Sequence, residues 1–108
     1  MNPKIKREIQ IARLQRDCIA DYRYLHDHIP QQIVKHLIEA GYTDLQIYLL
    51  DDCLIMLTEH DQTQIIPDRT IDEQAEEEWH HKTGRCFESF WQQADNIFDM
   101  QEQIKKMK

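Results

Sequence analysis

The chain has 108 residues, a formal charge of −7, and 41% hydrophobic and 31% charged residues. That length supports one compact domain, residues 1–108, with enough apolar material for a core and a negative mean hydropathy that fits a soluble globular protein rather than a disordered one. The negative charge repels phosphate backbones and anionic surfaces, and no apolar stretch approaches the ~20 residues of a membrane span, so neither nucleic acid nor a membrane is expected as a partner.

The first element is "REIQIARL", Arg7 to Leu14. Ile9 and Ile11 fall on one face and Glu8 and Gln10 on the other, which predicts a strand. From about Asp17 the period lengthens. Ile19, Tyr22, His26 and Ile29 follow three- and four-residue steps and predict one face of a helix. Pro30 lacks a backbone N–H and disfavours helix at Ile29, so a break is expected there, with the proline opening a new helix. Ile33, Val34, Leu37 and Ile38 form the apolar stripe of that helix, and Gly41 is its stop.

"LQIYLL" (Leu45 to Leu50) and "CLIMLTE" (Cys53 to Glu59) are short, apolar and rich in strand formers. Asp51-Asp52 between them predicts a β-hairpin. A polar loop follows through Pro67. Thr70 and Glu73 have capping-box spacing and predict a second helical region beginning in "IDEQAEEEWHH". It is expected to break near Thr83-Gly84 and to resume as helix over "RCFESFWQQADNIF", with Phe87, Phe90, Trp91 and Ala94 on one face. In the tail, Ile97, Met100, Ile104 and Met107 fit a helix, while the run from Met100 also suits an edge strand.

The order strand, helix, strand, strand, helix and a last element is an α+β pattern. With a closing strand it becomes ferredoxin-like, a four-stranded antiparallel sheet with both helices on one face. The other face then needs a cleft or a dimer partner.

Cys18, Cys53 and Cys86 are odd in number and far apart, which argues against a disulfide framework and for a reducing compartment. "MNPKIKREIQ" lacks the apolar run of a signal peptide, so a cytoplasmic protein is expected. His26/His28 and His80/His81 lack the four-residue spacing that stacks two imidazoles, and no metal site is expected. The acidic run "DEQAEEE" reads as a solvated face, and Asp51 and Asp52 as turn residues.

Three motifs, in this order, resemble the L-rhamnose mutarotase family from about Glu8 to Gln93. The first is Tyr22-Arg23-Tyr24-Leu25-His26, followed by a helix ending at Gly41. The second is "IYLLDDCLIMLTE", similar to the family's central hairpin. The third is the aromatic pair Phe90-Trp91, placed late in the second helix. The resemblance implies a cofactor-free isomerase that interconverts the α and β anomers of L-rhamnose or a related 6-deoxy-sugar. It also implies a homodimer of the dimeric α/β-barrel type. His26 would be the acid, with Tyr22, Phe90 and Trp91 contacting the sugar. A family tyrosine on the second strand falls at Leu45; Tyr48, on the strand's other face, is the remaining candidate for substrate contact there.

The chemistry suits these groups. Mutarotation opens a hemiacetal, turns the aldehyde and recloses on its other face. One group protonates the ring oxygen and another takes the proton of the anomeric hydroxyl. An imidazole (unperturbed pKa about 6.5) gives and accepts protons at neutral pH. A phenol is better suited to hold a hydroxyl or relay a proton. One helical turn apart, Tyr22 and His26 can reach one ligand together. Trp91 offers an apolar plate and an N–H donor. The plain packing reading puts Tyr22 and His26 under the sheet and the aromatic side chains in the core. The alternative function is an inactive dimeric α+β module that kept the fold and lost the sugar site, which Leu45 favours. A third reading is another small-molecule enzyme on the same kind of fold, such as a monooxygenase-type barrel.

Overall fold

The alternation at Arg7–Leu14 places a strand at the centre of a sheet. In the computed structural model, which describes residues 4–107, this strand is β1 (Ile5–Leu14). The others are β2 (Tyr42–Leu50), β3 (Cys53–Asp61) and β4 (Phe87–Gln93). All pairings are antiparallel, in the order β2-β3-β1-β4, which is the ferredoxin-like arrangement of an α+β fold. The helices are α1 (Ile19–Asp27), α2 (Gln31–Glu39), α3 (Glu73–Gly84) and α4 (Met100–Lys106).

Register and the two-residue period sort the side chains. Gln10 pairs with Met56 and Met56 with Ile47; Ala12 pairs with Leu54 and Leu54 with Leu49. These residues share the face that α1, α2 and α3 cover, and Ala12, Leu14 and Leu54 are buried there with Tyr22 and Cys86. Ile9 pairs with Leu57, and Ile11 with Ile55, on the open face.

The first helical segment divides at Pro30, as its chemistry requires. The proline has extended dihedrals (φ −61°, ψ 136°), and its carbonyl accepts the Ile33 N–H at 3.0 Å to begin α2. Gly41 then turns the chain into β2 at φ +102°, a conformation that L side chains rarely adopt. The hairpin turn has Asp51 at φ 59° and Asp52 held by Arg13 at 2.8 Å.

Three expectations need correction. The segment Phe87–Gln93 is strand β4, not helix. β1 presents a second edge of backbone donors and acceptors, and pairing satisfies it. Two register shifts, between Ile11/Arg13 and Arg13/Leu14, insert extra residues on the β4 side. Those bulges explain the helical spacing of its aromatic residues: Phe87 and Phe90 stack at 5.4 Å, and Phe87 meets Trp91 at 5.7 Å. The closing strand is therefore β4, and the tail from Met100 is helix α4 rather than an edge strand. Finally, the cap of α3 is Asp72, whose carboxylate accepts the Ala75 N–H at 3.1 Å, and not Thr70.

A methyl group on Gly41 would lie 2.8 Å from His60 Nε2 and 2.9 Å from the Asp61 carbonyl oxygen. Gly41→Ala is expected to lower the unfolding free energy by about 2 kcal/mol or more through overpacking and backbone strain. Thermal and urea denaturation against the wild type check it; unchanged midpoints would contradict the packing described.

Candidate active site

α1 carries both residues of the predicted pair. Tyr22 and His26 lie one turn apart with ring centroids 4.3 Å apart. His26 Nδ1–H donates to the Tyr22 carbonyl at 3.0 Å, which leaves the lone pair on Nε2 when the ring is neutral. Trp79 of α3 meets the His26 ring edge-on at 5.1 Å, and Phe87 meets Tyr22 edge-on at 5.6 Å.

Burial sets the proton affinities. It lowers the pKa of the half-buried His26, against the smaller upward effects of the Tyr22 carbonyl and Asp27. It pushes the Tyr22 phenol well above its usual value, with Cys86 adding to the rise. Tyr22 therefore keeps its proton through the neutral range and has an O–H available to donate.

Tyr22, His26, Phe90 and Trp91 line one cavity of about 490 Å³ between the sheet and the helices. That volume falls within the ~300–1,000 Å³ range of small-molecule sites. Trp79, Phe87, Phe90 and Trp91 give it an aromatic wall, and Leu45 and Ile47 an apolar one. Glu8, Gln10 and Thr58 from the sheet and Glu76 and His80 from α3 supply polar groups. The cavity is thus mostly apolar with a few polar groups among its lining residues.

Tyr48 sits elsewhere. It is 53% exposed, and its hydroxyl donates to Gln46 Oε1 at 2.6 Å. It lines a neighbouring hollow of about 730 Å³ that runs beside β2 and also touches Tyr22 and His26. That hollow is larger, but Trp79, Phe90 and Trp91 are not among its walls, and its aromatic residues are Tyr22, His26, Tyr42 and Tyr48. Tyr22 and His26 stand at the partition between the two.

Sequence reasoning missed Glu76, Trp79 and His80. Their spacing, continued by Thr83, is that of one helical face, but Glu76 lay within an acidic run read as solvated. Among the described residues, no group of three or more His, Cys, Asp or Glu is placed to hold a metal ion, and no helix is long and apolar enough to cross a membrane.

The lowered pKa of His26 has a consequence for stability. Below the unfolded value of 6.5 the unfolded chain binds a proton that the folded ring resists, so stability falls as pH drops from 6.5 to the folded pKa. NMR titration of His26 is expected to give a midpoint below 6.5, and His26→Gln to flatten the pH dependence of unfolding in that window. A midpoint at or above the ordinary value would refute it.

Comparison with known proteins bears on the fold and the family. The crystal structure of an L-rhamnose mutarotase from Formosa agariphila superposes with a TM-score of 0.66 at 14% identity, covering 88% of this chain and 98% of that one. That of a conserved protein from Methanosarcina mazei Go1 gives a TM-score of 0.56 at 19% identity, covering 83% and 87%. At these identities the likeness concerns the fold alone. No curated protein sequence matches the chain. The model of the L-rhamnose mutarotase family matches residues 7–108, almost the whole length. The chain therefore belongs to the L-rhamnose mutarotase family.

Proposed function

We propose that the protein is a cofactor-free mutarotase, acting as one unit over its 108 residues on the α and β anomers of L-rhamnose or a related 6-deoxy-sugar. The observation that carries this reading is the meeting of Tyr22, His26 and Trp91 in one cavity. His26 exchanges a proton with the hemiacetal through Nε2, because Nδ1 is committed to the Tyr22 carbonyl. Tyr22 donates its O–H to a sugar hydroxyl. Trp91, with Phe90 and Trp79, packs against the C–H face of the ring. Mutarotation moves no electrons to an acceptor, so the reaction needs no redox group. Leu45 adds apolar surface beside Ile47 and suits the methyl group of a deoxy-sugar better than a hydroxymethyl group.

The same Leu45 favours a second reading, an inactive dimeric module. A tyrosine at that position would offer the sugar a hydrogen bond that leucine cannot.

The working form is a homodimer closed through the open sheet face. Ile9 is 44%, Leu57 36%, Tyr48 53% and Leu50 72% exposed there, an apolar patch beside the Arg7–Glu59 and Arg13–Asp52 ion pairs. The compartment is the cytoplasm, which the free Cys18, Cys53 and Cys86 support.

Saturation-transfer NMR on L-rhamnose tests the activity. The protein is expected to accelerate α/β exchange and His26→Ala to slow it about 10²–10⁴-fold. Tyr22→Phe should slow it roughly tenfold, the size of one lost hydrogen bond. Exchange at the buffer rate for rhamnose, fucose and their relatives would leave the inactive module. Sedimentation tests the assembly: a dimer is expected, and Leu57→Glu, opposite Ile9, should give folded monomer. A wild-type monomer would overturn the assignment.

A further inference from the structure

Mutarotation asks for two proton-transfer groups, and His26 is one. α3 presents a candidate for the other. Glu76, Trp79, His80 and Thr83 share one face of that helix and line the cavity with His26. Trp79 touches the His26 ring, and Glu76 lies one turn before it, about 4.5 Å along the axis.

The Glu76 carboxylate is held in place from behind. His36 is 7% exposed, and its Nε2 accepts the backbone N–H of Asp72 at 3.0 Å. A backbone N–H can only donate, so Nε2 carries the lone pair and Nδ1 the hydrogen. Nδ1–H then donates to Glu76 Oε1 at 2.6 Å. The Gln32 amide also approaches Nε2, at 3.2 Å. On the other oxygen, His80 Nε2 stands 3.0 Å from Oε2. A carboxylate has about four acceptor positions, so two remain for a ligand. A buried imidazole anchored by Nε2 to the start of α3 and bonded by Nδ1 to one carboxylate is more than a solvated helix face requires.

We propose that Glu76 is the second proton-transfer group, exchanging a proton with the anomeric hydroxyl while His26 exchanges one with the ring oxygen, and that His36 is its positioning residue. The inference rests on the mutarotase reading. In ring opening the anomeric O–H bond breaks, its proton passes to the Glu76 carboxylate, and its electron pair forms the carbonyl π bond. The bond from the anomeric carbon to the ring oxygen breaks, and that oxygen takes the proton from His26 Nε2–H. After the aldehyde turns, the freed hydroxyl returns its proton to His26 and its oxygen attacks the other face of the carbonyl. The Glu76 carboxyl then protonates the new anomeric oxygen. The pair holds one proton at the start and one at the end, and no other reactant enters.

The pair must therefore be singly protonated. The rate falls when the pair takes up a second proton and when it loses the one it holds. The other titratable groups facing this cavity are Tyr22, Tyr42, Glu8 and His80, with His36 behind Glu76; Glu8 is engaged by Lys6 at 2.9 Å.

The experiment is the pH profile of rhamnose anomer exchange for the wild type, Glu76→Gln, His36→Leu and His36→Asn. Glu76→Gln changes a part-exposed side chain and is expected to fold, lower kcat about 10²–10⁴-fold with little change in KM, and lose the acid limb of the profile. His36→Leu should weaken the same limb, and His36→Asn, which keeps a donor near the position of Nδ1, should restore it. A Glu76→Gln variant with the wild-type kcat and profile, or one in which only KM rises, overturns the proposal. A His36→Leu variant with the wild-type profile overturns the role of His36. A wild type that does not accelerate exchange overturns the mutarotase reading itself, and the role of Glu76 with it.

Discussion

β1 has two edges, and both must be paired. This constraint organises the molecule. An unpaired buried backbone N–H or C=O costs about as much as a lost hydrogen bond, so a central strand recruits a neighbour on each side. β3 takes one edge and β4 the other. The connections then have to cross the sheet, and α1–α2 and α3 do so on the same face. Where the two crossings meet over the middle of the sheet they do not close completely, and the cavity of about 490 Å³ is the space left between them.

The candidate site follows from that meeting. α1 brings Tyr22 and His26, α3 brings Trp79, and β4 brings Phe90 and Trp91. Each contributor has its own device for aiming a side chain. In α1 it is the bond from His26 back to the Tyr22 carbonyl. In α3 it is the Asp72 cap, which sets where the helix begins and hence which residues face inward. In β4 it is the pair of register shifts, which bring Phe90 and Trp91 to the same cavity although they are adjacent on a strand. A regular strand would send two successive side chains to opposite faces.

The same devices explain what could be read without coordinates. β1, α1, α2 and the hairpin were legible because their periods were unambiguous and Pro30 and Gly41 punctuated them. Tyr22 and His26 were legible as a pair because one helical turn separates them. β4 was not, because its bulges disguise a strand as a three-and-four pattern. Trp79 and Glu76 stayed hidden for another reason. Charge in a run is ordinarily solvated, and nothing local distinguishes the one glutamate that turns inward; its partner, His36, lies 40 residues earlier. Thr70 had the right spacing for a cap, but Asp72 was two residues nearer the helix.

The placement of the indoles has an optical consequence. The chain has two tryptophans, Trp79 and Trp91, and both line the same cavity. The tryptophan emission of the whole protein is therefore the emission of that one chamber. A protonated imidazole quenches a neighbouring indole, and Trp79 touches His26, so the colour and intensity of that light report the ionisation of the ring and whatever displaces water from around it.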